Sequence, residues 1–139
     1  MNPPPAEPSA SAPGLRLFVV EDSAVIRDNL VAALEELLGT TVVGTAEDED
    51  GALRWMRGSG VGCDLMIIDI FLKAGTGLEV LRHAKALRPQ ARLVVLSNYA
   101  TPDVRRRCAE LGADRVFDKS AELEDLLAYC ESVADARRG

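Results

Sequence analysis

Three stretches of this chain, residues 15–20, 64–70 and 91–97, are nearly all apolar, two weaker ones fall at 41–46 and 114–119, and each of the five is followed by a segment whose apolar residues recur every third or fourth position. The central stretch, residues 64–70, reads Asp-Leu-Met-Ile-Ile-Asp-Ile, with Gly60 and Gly62 before it and Gly75 and Gly77 after it. A continuous apolar run bounded by turn residues predicts a strand buried on both faces. Residues 15–20, 41–46, 91–97 and 114–119 predict four more strands, the second weakened by Gly44.

The segments between them predict helices. Asp22-Ser23 opens the first, with Val25, Ile26, Leu30, Leu34, Leu37 and Leu38 at helical spacing and Gly39 as its stop. The acidic run from Glu47 to Asp50 reads as the solvated start of the second, where negative charge favours the N-terminal end. Ala52, Leu53, Trp55 and Met56 give that helix its apolar face. Thr76, with Glu79 three residues on, forms a capping box for the third. Its Leu78, Val80, Leu81, Ala84 and Leu87 are expected to pack inward, and Arg88-Pro89 closes it. Thr101 and Pro102 begin the fourth, and Gly112 ends it. Ser120 is expected to cap the fifth, with Leu123, Leu126, Leu127, Cys130 and Val133 as apolar positions. This alternation predicts an α/β fold: a five-stranded parallel, doubly wound sheet with five helices.

Composition narrows the picture. The 139 residues fit one domain, expected over residues 15–137. Residues 1–14 hold five of the seven prolines and are expected to be a disordered Pro/Ala-rich leader, since such a composition cannot build a core. Acidic residues outnumber basic ones 22 to 16, a formal charge of −6. Direct nucleic-acid binding is therefore not expected, because phosphate contacts call for a basic footprint. Arg105-Arg106-Arg107 reads as a solvated face or a protein contact. No apolar run approaches the ~18 residues of a membrane span. The first residues, with Pro3, Pro4, Pro5 and Glu7 and no basic residue before an apolar core, are not expected to act as a secretory signal. Cys63, Cys108 and Cys130 have no metal-ligand spacing and are expected to be reduced, small hydrophobes in a cytoplasmic protein.

Four of the five predicted strands finish in a chemically specific group. The first gives Glu21 and Asp22, the third Asp69, the fourth Ser97 and the fifth Lys119. In a parallel sheet these ends share one edge, where open α/β sheets place their chemistry. Carboxylates brought together repel unless cations compensate. Mg²⁺ with one lysine would do so, since Mg²⁺ takes one or two carboxylates, carbonyl oxygens, water and a phosphoryl group. A carboxylate beside both cations can attack phosphorus. The hydroxyl of Ser97 can then donate to the new phosphoryl group.

With these strand ends, and with "GTGLEVL" at residues 75–81 and "LGAD" at 111–114, the chain resembles the receiver domain of bacterial two-component response regulators. The resemblance covers about residues 14–137 and implies a flavodoxin-like architecture. It implies that Asp69 is the phosphoacceptor, taking its phosphoryl group from the phosphohistidine of a histidine kinase or phosphotransfer protein. It implies a Mg²⁺ ion held by Glu21, Asp22, Asp69 and the backbone carbonyl of Phe71. Lys119 would pair with the phosphoryl oxygens, and Ser97 would be the switch hydroxyl. The domain would catalyse its own phosphorylation and its own slow hydrolysis, which is less than a conventional enzyme does. The output and homodimer surface would lie in residues 102–136. With no output domain following, the chain is expected to act as a single-domain regulator through an output protein not named by its sequence.

Four positions depart from the family pattern. Ser120, not proline, follows Lys119, so a trans bond is expected there. Val116 stands where an aromatic switch residue is usual. Phe117 is expected to face the other side of the sheet, which leaves Tyr99 as a substitute. Asn98 replaces a small residue, and Lys73 replaces a proline and is expected to be solvated. Two alternatives stay open: a phosphorylation-independent pseudo-receiver acting as an interaction module, and the receiver portion of a longer regulator or hybrid kinase. An aspartate-nucleophile phosphohydrolase would carry an acid/base aspartate two residues after Asp69, where Phe71 stands. A nucleotide-binding sheet would carry a glycine-rich loop where Glu21-Asp22 stands.

Overall fold

The computed structural model describes residues 14–138; the leader predicted over residues 1–14, Gly14 apart, lies outside the described residues. The five strands are β1 (Arg16–Val20), β2 (Thr41–Ala46), β3 (Leu65–Asp69), β4 (Arg92–Ser97) and β5 (Arg115–Asp118). The helices between and after them are α1 (Ala24–Leu38), α2 (Glu49–Gly58), α3 (Gly77–Leu87), α4 (Pro102–Glu110) and α5 (Leu123–Arg138). The strands form one parallel sheet in the order β2-β1-β3-β4-β5. The winding reverses between β1 and β3, and a reversal of this kind opens a crevice beyond the strands' carboxyl ends.

Alternate strand residues point to opposite faces, and both faces are covered. Leu17, Val19, Leu65, Ile67, Val94, Leu96 and Phe117 pack with Leu30 and Leu34 of α1 and Leu126 and Cys130 of α5. Phe18, Val20, Met66, Ile68, Leu93 and Val95 pack with Met56 of α2, Leu81 of α3 and Cys108 of α4. The predicted doubly wound sheet is therefore what the chain forms. Phe117 turns away from Val116, as the alternation required. Gly44 has a local reason: Trp55 stacks on Phe18 with ring centroids 4.0 Å apart, and a Cβ at residue 44 would run into the indole.

Ser23, Asp48, Thr76 and Thr101 each cap the helix that follows, accepting the backbone N–H of the third residue on. Ser120 does not: α5 begins at Leu123, and the Ser120 hydroxyl and amide both donate to Asp118 Oδ1. Asp118 thus closes its own turn, engaging the Ser120 hydroxyl that was expected to cap the helix. Leu87 is not packed inward but 38% exposed, because it ends α3 among the polar side chains of Arg16 and Arg88. Val25 and Leu37 on α1 are also exposed, and that helix buries Leu30 and Leu34. All three cysteines are free and buried. Burial pushes the Cys63 thiol up to about 11 and that of Cys130 to about 12, which suits inert core residues. Among the described residues no helix is long and apolar enough to cross a membrane.

Candidate functional site

Pairing between the central strands brings the acidic groups together. Val20 of β1 lies opposite Ile68 of β3, so Glu21 and Asp22 leave their strand beside Asp69. One oxygen from each of Glu21, Asp22 and Asp69 can be chosen so that all lie within 4.8 Å of one another. Glu21 and Asp69 are buried, and Asp22 is half-buried.

Lys119, just past β5, reaches into this group. Its Nζ lies 2.7 Å from Glu21 Oε1 and 3.0 Å from Asp69 Oδ2. Burial pulls the Lys119 ammonium down, but hydrogen bonds to Glu21 and Asp69 outweigh it and hold its pKa above the ordinary 10.5. Burial, the largest influence on Glu21, raises its carboxyl above the ordinary value; Lys119 and the Ser23 amide oppose that rise. Lys119 carries one positive charge against three carboxylates, all hard oxygen donors. That imbalance is what a divalent cation would relieve, so the residues present fit Mg²⁺.

The main chain around the site is fixed by side chains. The Ser23 amide donates to Glu21 Oε2 at 3.0 Å, and Arg27 donates to the Glu21 carbonyl at 3.1 Å. The Phe71 amide donates to Asp69 Oδ1 at 3.2 Å, and Phe71 bridges to Thr76 across the loop. Gly77 starts α3 against the Asp69 carbonyl, where a Cβ would collide with the backbone. Glu49 is more than a solvated helix start: its carboxylate accepts the Thr76 amide at 3.0 Å and so ties α2 to this loop, and the predicted capping box is only half formed, because Glu79 pairs with Arg82 instead of that amide. Lys73 is exposed and lies 3.5 Å from Glu47.

Ser97 ends β4 one position past Leu96, the partner of Asp69 in the sheet. It is fully buried, and its Oγ accepts the Tyr99 amide at 3.0 Å. Tyr99 and Phe71 meet edge to face, with centroids 5.2 Å apart, and both rings are more than half exposed. Every residue predicted for the site thus stands at the same sheet edge. What strand-end reading missed are Arg27, Glu49 and Arg105, the last read as part of a solvated face or protein contact but half-buried and donating to the Ala100 carbonyl in the loop after β4. They hold the loops through long side chains on helices, and spacing along the chain does not signal such contacts.

Comparison with known proteins agrees with this geometry. The profile of the family described as "Response regulator receiver domain" matches residues 17–131. The chain is 32% identical to the alkaline phosphatase synthesis transcriptional regulatory protein SphR of Synechococcus elongatus, over 91% of this chain and 51% of that protein. It is 31% identical to protein-glutamate methylesterase/protein-glutamine glutaminase 2 of Burkholderia thailandensis, over 90% of this chain and 36% of that protein. The chain thus spans about half, or less, of the length of these curated relatives. Among solved structures, it resembles a response regulator from Burkholderia pseudomallei with a phosphorylated aspartic acid, calcium ion and citrate. The TM-score is 0.75 at 27% identity, over 88% of this chain and 69% of that one. A CheY-like receiver domain protein from Methanospirillum hungatei aligns with a TM-score of 0.75 at 25% identity, over 88% of this chain and 95% of that one. The parallel sheet, the acidic cluster with its lysine and the family match converge on one identification: this chain belongs to the response regulator receiver domains of two-component phosphorelay signalling.

Proposed function

We propose that Asp69 accepts a phosphoryl group from the phosphohistidine of a histidine kinase or phosphotransfer protein. The observation that carries this reading is the Lys119 ammonium bridging Glu21 and Asp69 beside Asp22. An Asp69 carboxylate oxygen attacks phosphorus, the P–N bond breaks, and the imidazole leaves. Lys119, held between two carboxylates, stays protonated and offsets charge on the phosphoryl oxygens. Glu21, Asp22, Asp69 and the Phe71 carbonyl would hold Mg²⁺, which when bound supplies further charge neutralisation at the phosphoryl oxygens. The bound calcium ion and phosphorylated aspartate of the Burkholderia pseudomallei protein support both roles. Ser97 then exchanges the Tyr99 amide for the phosphoryl group, to which its hydroxyl donates.

An apolar groove between α1 and α5, lined by Ile26, Leu30, Leu123 and Leu127, opens at Lys119 beside the site. The receiver unit spans residues 15–137 and works in the cytoplasm. Its output protein, or a second copy of the chain, binds through residues 102–136. A second reading, the receiver portion of a longer regulator, is favoured by the greater length of its relatives.

Incubation with a small-molecule phosphodonor tests the chemistry. Intact mass should show one added phosphoryl group only when Mg²⁺ is present. Asp22→Asn should need about tenfold more Mg²⁺ or beyond for the same yield, by analogy with the loss of partners that orient a metal's ligands. A yield indifferent to Mg²⁺ in both proteins would refute the metal assignment.

A further inference from the structure

One guanidinium ties together the two loops that flank the site. Arg105, in the first turn of α4, donates through Nε to the Ala100 carbonyl at 2.9 Å, in the loop after β4. Through Nη1 it donates to the Val116 carbonyl on β5 at 2.9 Å. Through Nη2 it meets Glu122 Oε1 at 2.7 Å, the residue before α5. That same Glu122 oxygen accepts the Asp118 amide at 2.8 Å, one residue before Lys119. The Glu122 amide donates in turn to the Asp118 carbonyl at 2.8 Å. The planar fork of arginine suits three acceptors in fixed directions, and lysine has no equivalent.

We propose that Arg105 and Glu122 transmit the state of Asp69 to the start of α5, in the place where the family pattern has an aromatic side chain and this chain has Val116. The inference rests on the phosphoacceptor reading above. When the Ser97 Oγ turns to the phosphoryl group it releases the Tyr99 amide, and the 98–101 loop shifts. The Ala100 carbonyl lies in that loop and pulls on Arg105 Nε. Arg105 passes the displacement to Glu122, and Glu122 to the Asp118–Glu122 turn and α5. The coupling is a rigid chain of hydrogen bonds rather than a ring swinging between two positions. It leaves Tyr99 free to stay against Phe71 at the mouth of the site.

Backbone amide NMR of the phosphorylated and unphosphorylated protein tests this, with donor concentration set to give equal phosphorylated fractions in every variant. In the unmodified chain, phosphorylation should move signals of residues 98–101 and also of residues 120–126. In Arg105→Lys and in Glu122→Gln, the shifts at 98–101 should persist and those at 120–126 should be lost. Glu122→Gln keeps an acceptor for the Asp118 amide, so the turn itself survives. Shifts at 120–126 that persist in both variants, or that are absent from the phosphorylated unmodified chain, would overturn the proposal. An unmodified chain that takes up no phosphoryl group would instead refute the assignment of Asp69.

Discussion

Phe71 and Tyr99 stand two residues after Asp69 and Ser97, and their rings meet although neither is buried. An edge-to-face pair at a protein surface is worth about 1 kcal/mol. Held closed over an acyl phosphate, such a pair screens the phosphorus from water. Opening it should cost about that much, so Phe71→Asn and Tyr99→Glu should each speed loss of the phosphoryl group by roughly fivefold. The measurement is the decay of the phosphorylated mass after the donor is removed. Unchanged decay in both variants would mean that the aromatic pair does not limit hydrolysis. At the same scale, the cost of burying Glu21 is met by a specific partner, Lys119, which is held by two carboxylates.

Elements are locked to one another by a charge at the far edge of the sheet. Asp64, just before β3, is buried and accepts the Arg16 amide at 2.8 Å and the Arg16 guanidinium at 3.0 and 3.1 Å. Arg137 near the end of α5 approaches the same carboxylate at 3.3 Å. Burial alone would raise the Asp64 carboxyl, but the Arg16 hydrogen bonds and the Arg137 charge together hold it below its ordinary 3.8. A depressed carboxyl contributes stability that is present above 3.8 and lost as pH falls through the lower folded value. Asp64→Asn should therefore destabilise the fold at neutral pH by about 1–2 kcal/mol, the lower part of the range because both guanidinium groups are half in water. The difference from the unmodified chain should shrink below pH 3.8. A difference that stays constant from pH 7 into that acid range would rule out the carboxylate as its source. The sequence announced β3 by its apolar run, yet it hid this role, since Asp64 reads there as the strand's first residue. Element order, strand faces and three of the four predicted caps were legible because period and capping are local signals. The cap expected at Ser120 does not form, because a neighbouring aspartate competes for the same hydroxyl. Asp48, read only as part of an acidic helix start, proved to be a cap as well.

Across the whole molecule, topology turns scattered residues into a site. Reversal of the winding between β1 and β3 sets Glu21 and Asp22 next to Asp69, and parallel pairing outward to β5 delivers Ser97 and Lys119 to the same edge. That convergence was legible in the sequence, because a parallel sheet dictates it once the strands are known. The ties that join the edge to the rest of the fold were not. Arg27, Glu49 and Arg105 reach across from helices, and their partners are backbone groups or distant carboxylates. The account as a whole stands on Asp69 as the atom donor of the new phosphorus bond. The measurement that tests it most directly is intact mass after exposure to a small-molecule phosphodonor with Mg²⁺, run side by side on the unmodified chain and on Asp69→Asn. The account predicts one added phosphoryl group on the unmodified chain and none on the variant. The same addition on both, or on neither while Mg²⁺ binding is shown separately, would contradict it.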